Sequence, residues 1–308
     1  MARKPRGRPV HGWIVLDKPL GMSSSHAVGA VRRILDAAKA GHGGTLDPLA
    51  TGVLPIALGE ATKTVSYAMG SRKRYRFTLR WGVARTTDDT EGAIVAESAT
   101  RPSRAEVLAA LPAFEGVLSQ RPPDFSAIKV AGARAYDLAR GGGAVTLAAR
   151  PVEVLSIALL AMPDADHAQF EAETGKGTYI RALGRDLGAV LGCYAHVTEL
   201  RRLAVGRFTL DGAISLDKLA ALGHSSPASG HLLPIETALD DIPALALSGE
   251  EAEALRCGRV VTPLRPSDRA RIDLLEDGAT IRATSDGRLV ALAAVEKGLI
   301  RPVRVMNF

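Results

Sequence analysis

The stretch GHGGTLDPLATGVLPI, residues 41–56, holds one carboxylate, Asp47, among glycines, small hydroxyls and aliphatics. Aspartate is seldom buried unless something pairs with it. Several chemistries can be set aside at once. A glycosidase needs two carboxylates flanking one bond, and the nearest acids in sequence are Asp36 and Glu60. No GxSxG elbow is present for a serine hydrolase. A phosphate-cradling loop would read GxxxxGK[ST], and GHGGTLDPLATG lacks the lysine. What remains is a glycine-rich loop built around an acid, suited to the edge of a substrate. From residue chemistry alone Asp47 is either a reactive carboxylate or an Asx-turn acid that bonds its own backbone.

Other residues could serve such an acid. Tyr75, in RKRYRFTLRW, offers an aromatic face, or is an alternating strand residue on a half-buried face. Arg181 follows GTY at a helix start; it can pair a carboxylate bidentately, or sit exposed on the helix. His42, five residues before Asp47, is a loop histidine with either role. The seven histidines form no HxxxH pair and the two cysteines, Cys193 and Cys257, no CxxC, so a zinc site is not expected. The cysteine usage suits a reducing compartment.

These residues must be positioned by a soluble fold. The chain has 308 residues, more than the roughly 100–200 of one domain, so two domains are expected. Apolar content is 46% and charged content 23%, ordinary for a globular protein. No apolar run approaches the ~18 residues of a membrane helix, and the basic start MARKPRGRPVHG lacks the apolar run of a secretory signal. Lys and Arg number 39 against 33 acids, clustered at 3–8, 72–76 and 201–202. Charge alone leaves solubility and a nucleic-acid footprint equally open.

Periodicity supplies the elements. Trp13–Leu16 reads as a buried strand followed by the turn DKPLG. The serines at 23–25 cap a helix carrying Val28, Val31, Ile34 and Leu35. Pro48 pushes Asp47 toward extended backbone. Val53–Leu58 is apolar. Residues 74–81 alternate as a strand with one wet face, and 93–96 form the next. Ser103 and Glu106 make a capping box for a helix to Ala113. An irregular segment begins at Gln120 and contains a short helix near 135–140 and three glycines at 141–143. Strands follow at 152–160 and 168–174, then a helix with Ile180, Leu183, Leu187 and Val190 on one face. SSPASG, 225–230, is a surface loop near a domain boundary. Residues 244–308 form a small β-rich module: a helix capped by Ser248, then strands at 279–284, 289–295 and 303–305.

GHGGTLDPLATGVLPI resembles the catalytic motif of the TruB family of tRNA pseudouridine synthases, and other segments match in order. LDKPLGMSSS (16–25) resembles the family's first motif, KRYRFTLRWG (73–82) the strand with its active-site tyrosine, and SAIKVAGARAYDLAR (126–140) its RNA-gripping insertion. GTYIRALGRDLG (177–188) resembles its arginine motif, followed by LRR at 200–202. The likeness covers about residues 12–205. The last module resembles the PUA-type RNA-binding domain often appended to the family.

The resemblance implies isomerisation of uridine to pseudouridine at uridine-55, in the TΨC loop of tRNA. No cofactor or metal is expected. Asp47 is the catalytic residue. The base is flipped out, at a cost of a few kcal/mol; Tyr75 packs on it, Tyr179 lines its pocket with Leu200 behind, and His42 fills the vacated place. Arg181 pairs with Asp47, and Lys18 with Pro19 shapes the pocket floor. Lys129, Arg134 and Arg140 grip phosphates. Arg85 departs from the family pattern, which commonly has threonine there, while Thr87, Asp89 and Gly92 fit.

The expected architecture is α+β: a catalytic domain at 12–240 on a mixed, mostly antiparallel sheet, with the insertion at about 120–150. A basic arm, 1–11, precedes it and a PUA-like β domain, 244–308, follows. The expected partner is the TΨC arm of tRNA, with no membrane and no obligatory protein partner, for a cytoplasmic monomer. The rival reading is a non-catalytic tRNA-binding or tRNA-folding chaperone.

Overall fold

A computed structural model describes residues 7–126, 128–130, 133–134, 147–223, 230–263 and 265–308. The expected helix at 135–140, the glycines at 141–143, Arg140 and most of the 225–230 loop lie outside these residues, as do residues 1–6 of the basic arm and the side chains of Lys129 and Arg134.

The chain is organised around a sheet of ten strands, mixed and mostly antiparallel as expected. In chain order its first members are β1 (Gly12–Lys18), β2 (Ala40–His42) and β3 (Thr51–Leu58), with helix α1 (Ser24–Ile34) between β1 and β2. A short helix α2 (Val65–Gly70) leads into β4 (Lys73–Trp81). The hairpin β5 (Val83–Arg85) and β6 (Ile94–Glu97) stands off the sheet, followed by α3 (Arg104–Ala110) and β7 (Gly116–Gln120). A two-residue pair, β8 (Lys129–Val130) and β9 (Ala133–Arg134), precedes the long strands β10 (Arg150–Ala161) and β11 (His167–Thr174). Helix α4 (Ile180–Val190) and strand β12 (Ala195–Val205) follow, then β13 (Phe208–Thr209), β14 (Ile214–Ser215) and α5 (Leu216–Leu222). The sheet order is β14-β1-β3-β12-β4-β11-β10-β7, with β2 on β3 and β13 on β12.

Local sequence explains most of this. Ser23 caps α1 by accepting from the His26 amide, and Ser103 and Glu106 form the expected box before α3. Alternation in β4 buries Lys73, Tyr75, Phe77, Leu79 and Trp81 and turns Arg74 and Arg76 outward, opposite Glu173 and Glu171 of β11. The helix expected to reach Ala113 ends at Ala110 and tightens into a 3₁₀ turn, because Pro112 cannot continue an α-helix.

Strand β12 was not expected, and it is central. It pairs antiparallel with β4 and parallel with β3, and it carries Leu200 and Arg202. Register shifts at Val197/Glu199 and Arg202/Ala204 break its period of two, which hides it from pattern reading. Strands β7 and β2 were also unforeseen.

A second sheet, β15 (Ala244–Ala246), β16 (Thr280–Ser285), β17 (Arg288–Glu296) and β18 (Leu299–Val305), forms the C-terminal β domain with its own core. Helix α6 (Gly249–Arg256) has the Ser248–Glu251 capping box. A shared apolar cluster joins this domain to the ten-stranded sheet: Trp13, Val53, Phe208 and Ile235 pack with Leu289, Leu292 and Met306. Its tail is tied down as well. The Asn307 amide donates to Glu60 at 2.7 Å, and the His11 and Phe308 rings meet edge-on at 5.6 Å. Residues 8–11 of the arm pack here too, Arg8 bridging to Ala37 and His11 accepting from the Glu60 amide.

Candidate active site

The loop between β2 and β3 is held residue by residue. Arg202 donates to the carbonyls of Gly44 and Thr45 at 3.1 and 3.0 Å, and its Nε to Val53 at 2.8 Å. The Ser24 hydroxyl both donates to the Leu46 carbonyl and accepts from the Leu46 amide, each at 2.8 Å. The Asp47 carbonyl accepts from the Ala50 amide at 3.0 Å. The Pro48 carbonyl receives the Gly21 amide at 2.8 Å and Lys18 Nζ at 3.4 Å. Every carbonyl from 44 to 48 is thereby occupied, so the backbone presenting Asp47 has little freedom.

The Asp47 carboxylate is taken by Arg181, as expected, and not by its own backbone. Arg181 Nε and Nη2 both reach Oδ2, at 3.0 and 2.9 Å, so the arginine uses one carboxylate oxygen and leaves Oδ1 unused by it. Asp47 remains one third exposed while the arginine side chain is 5% exposed. The rest of the guanidinium is also engaged: Nη1 donates to the Thr87 carbonyl at 2.7 Å and Nη2 to that of Phe125 at 2.9 Å. Nη1 stands 3.4 Å from Asp89 Oδ2, whose side chain is 3% exposed. Thr87 Oγ1 and the Glu91 amide donate to the other oxygen of Asp89. Burial opposes the charge of Arg181, but Asp47 and then Asp89 outweigh it and raise its pKa. One arginine thus bridges a buried acid and a half-buried one.

Helix α4 delivers Arg181 and Tyr179 together. Gln120, buried at the end of β7, clamps its entry: the side-chain oxygen accepts from the Tyr179 amide at 2.8 Å and the side-chain nitrogen donates to the Tyr179 carbonyl at 3.2 Å. Arg150 lies over the Tyr179 ring, 5.5 Å from its centroid. Burial raises the phenol pKa of Tyr179, and Arg150 pulls it back only in part.

Asp47, Tyr75, Tyr179, Arg181 and Leu200 line one cleft of about 330 Å³. The structure brings these five together. It does not bring His42 or Lys18 into the lining. His42 sits in β2 opposite Ile56, half-buried, at the base of the same loop. Lys18 is fully buried beneath it, donating to the carbonyls of Pro19, Met22 and Pro48. Burial lowers its pKa to about 8, with Asp47 opposing that shift and Arg202 adding to it. Lys18 therefore holds the loop and does not reach the cleft. A larger hollow, about 1110 Å³, lies around Asp88 and Arg185 and contains none of the five residues.

Sequence reasoning missed several residues. Arg202, Lys73, Lys176 and Arg150 line the cleft with Arg181, making five cations against the single acid Asp47. Among the described residues no carboxylate lies within 4 Å of Arg202, Lys73 or Lys18; backbone carbonyls alone hold them. Arg85, at the departing position, donates to the Gly92 carbonyl at 2.8 Å and so braces the turn that carries Asp89. Among the described residues no group of three His, Cys, Asp or Glu side chains is placed to hold a metal ion. The cleft offers the aromatic side chains of Tyr75 and Tyr179, a carboxylate oxygen left unused by its arginine, and an excess of positive charge that attracts an anion.

Known proteins share sequence and fold with this chain. Residues 32–180 match the model of the TruB family pseudouridylate synthase N-terminal domain, and residues 181–240 that of the tRNA pseudouridylate synthase B C-terminal domain. The chain is similar to a tRNA pseudouridine synthase B of Bradyrhizobium diazoefficiens, 54% identical over 97% of this chain and 87% of the relative. It is similar to that of Rhodospirillum rubrum at 50% identity over the full length of both. Among solved structures, a Cbf5-Nop10-Gar1 complex contains a chain with TM-score 0.74 and 25% identity, covering 96% of this chain and 84% of its own. A chain of an H/ACA RNP bound to a substrate RNA containing 2′-deoxyuridine shares the fold, with TM-score 0.75 at 22% identity over 100% of this chain and 92% of that one.

Proposed function

Because the chain belongs to the TruB family of pseudouridylate synthases, we propose that it isomerises uridine to pseudouridine at uridine-55, in the TΨC loop of tRNA, with Asp47 as the catalytic group. The observation that carries this reading is the Arg181 fork on Asp47 Oδ2 inside a cleft walled by Tyr75, Tyr179 and Leu200.

The reaction breaks the C1′–N1 bond, turns the uracil and joins C1′ to C5. N1 gains a proton and C5 loses one, so it is redox-neutral and consumes no water. A single positioned carboxylate can serve as nucleophile or base. Arg181 fixes one oxygen and leaves Oδ1 to work. The uridine must leave its stack, and stacking on Tyr75 returns roughly 1–3 kcal/mol. Leu200 and the buried apolar wall keep water from the turning base. His42, in β2 at the base of the Asp47 loop, fills the space the base vacates, and Lys18 acts through Pro48 on the placement of Asp47. The basic cleft receives the polyanionic RNA, and the C-terminal sheet, as a PUA-like module over 244–308, adds RNA contact outside it. We place the enzyme in the cytoplasm as a monomer that needs no protein partner and no cofactor. Among the described residues no helix is long and apolar enough to cross a membrane.

Asp47→Asn tests the reading against a non-catalytic chaperone. With an unmodified tRNA transcript, the variant should bind RNA as the wild type does and form no pseudouridine by mass spectrometry. Wild-type yield from Asp47→Asn would end it.

A further inference from the structure

A second groove, about 620 Å³, runs beside the cleft and shares one lining residue with it, Lys73. Its other cations are Arg72, Arg74 and Arg207, against the carboxylates Glu173 and Asp241. Lys73 is 7% exposed and sits on β4 two residues before Tyr75. Both side chains therefore leave the same face of the strand, about 7 Å apart along it. An ammonium has three N–H donors. Lys73 gives two to the carbonyls of Met69 and Ser71, and among the described residues no carboxylate lies within 4 Å of it. Arg202 and Lys176 lie near enough to disfavour its charge further. A buried cation without a counter-charge is costly, and this one stands where the two hollows meet.

The groove's arginines are loosely committed. Arg72 stands 3.9 Å from Glu173, Arg74 stands 3.7 Å from Glu171, and Arg207 stands 3.2 Å from Asp240; these arginines are 67%, 52% and 69% exposed. Ion pairs this exposed contribute little to stability, so an arriving phosphate can recruit them. Gly70 and Gly206 on the groove wall keep it open at the backbone.

We propose that this groove is the track for the RNA backbone as it leaves the cleft, with Lys73 on the phosphodiester adjoining the reacting nucleotide and Arg72, Arg74 and Arg207 on the next phosphates. This rests on the reading of the cleft as a uridine site and extends it to named contacts on the flanking strand. Lys73 is a binding residue here, not a catalytic one.

The experiment uses the full chain and an unmodified tRNA transcript. Binding is measured between 50 and 200 mM salt for the wild type, for Arg72→Ala/Arg207→Ala, and for Lys73→Met and Lys73→Arg. Each lost phosphate contact should make the slope of log K against log salt shallower by roughly 0.7–0.9. The double variant should lose about twice that, raise KM and keep kcat at saturating RNA. Lys73→Met should also lose one such step, and Lys73→Arg should keep it. The two arginines are exposed, so folding does not confound that arm. Wild-type slope and affinity in Arg72→Ala/Arg207→Ala would overturn the track, as would a fall in kcat with the slope unchanged. Failure of the uridine reading looks different: the wild type itself would make no pseudouridine, while the salt slopes would still report on the groove.

Discussion

Arg181 serves two acids, and replacing it by methionine should expose two separable losses. The first is stability. Asp89, with its side chain 3% exposed, loses the guanidinium that stands 3.4 Å from it. Breaking a buried ion pair from one side costs about 3–5 kcal/mol, because the remaining charge is left uncompensated. The Thr87 and Phe125 carbonyls also lose their donors. The second loss is positional. Asp47 loses both of its charge-assisted bonds, at 3.0 and 2.9 Å. Its carboxylate is one third exposed, so water replaces part of what is lost. Discounting the roughly 1.5–3 kcal/mol of a hydrogen bond to a charged group by about a third leaves about 1–2 kcal/mol, or roughly 5–30-fold in rate.

Asp89→Asn separates the two. In the Arg181→Met background it removes the stranded charge while Thr87 and the Glu91 amide can still bond the side chain. Stability should recover by at least half, and the single-turnover rate on a tRNA transcript should not. The assays are urea unfolding with the m-value checked for constancy, and rapid-quench formation of pseudouridine. If the costs of the two substitutions simply add, the buried pair is not what holds this region. If the double variant regains the rate, Arg181 does not act through Asp47.

Two further outcomes follow from the geometry. Gly52 has φ +100° and faces Arg202 across strands, where an added Cβ would stand 2.2 Å from the Arg202 carbonyl oxygen. Gly52→Ala should cost about 3 kcal/mol or more in urea unfolding, since strain and a backbone clash combine; a change within 1 kcal/mol would show that β3 and β12 can part freely. Asp88 gives a pH signature. Burial raises its carboxyl to about 6, with Arg185 and Arg181 pulling the other way. The folded value lies above the unfolded value of about 4, so its contribution is full below pH 4 and is lost as pH rises through 6. The stability of wild type minus Asp88→Asn should fall by up to about 3 kcal/mol from pH 4 to pH 7, and a flat difference would contradict the assignment.

The sequence made the residues that meet in the cleft legible and left their scaffolding obscure, for a physical reason. Asp47, Tyr75, Tyr179, Arg181 and Leu200 sit in long, specific motifs. The ion pair across 134 residues was implied by the resemblance, while residue chemistry alone left Arg181 open between that pairing and an exposed place on the helix. The alternating strand at 74–81 was legible because one of its faces is wet. The supports were not. Arg201 and Arg202 read alike in a basic pair, yet Arg201 is 39% exposed and pairs with Asp17, while Arg202 is 1% exposed and holds the loop of Asp47. Only the strand's alternation separates their fates, and the bulges in β12 conceal that alternation.

Lysine carries the same lesson further. By residue type alone Lys18 and Lys73 look like solubilising residues, though the resemblance put Lys18 at the pocket floor, and a buried lysine is rare unless it is paired. Here the pairing is with carbonyls, which no pattern of charges in the sequence announces. Carbonyls satisfy the N–H groups without cancelling the charge. Three buried cations, Lys18, Lys73 and Arg202, therefore keep their field around one loop and one cleft. That field costs stability in the free protein: burial takes Lys18 and Lys73 down to about 8. Under the proposed function, a bound polyanion would recover it. Asp47 is the single acid among the residues lining that cleft, and of the cleft's cations Arg181 is the one that grips it.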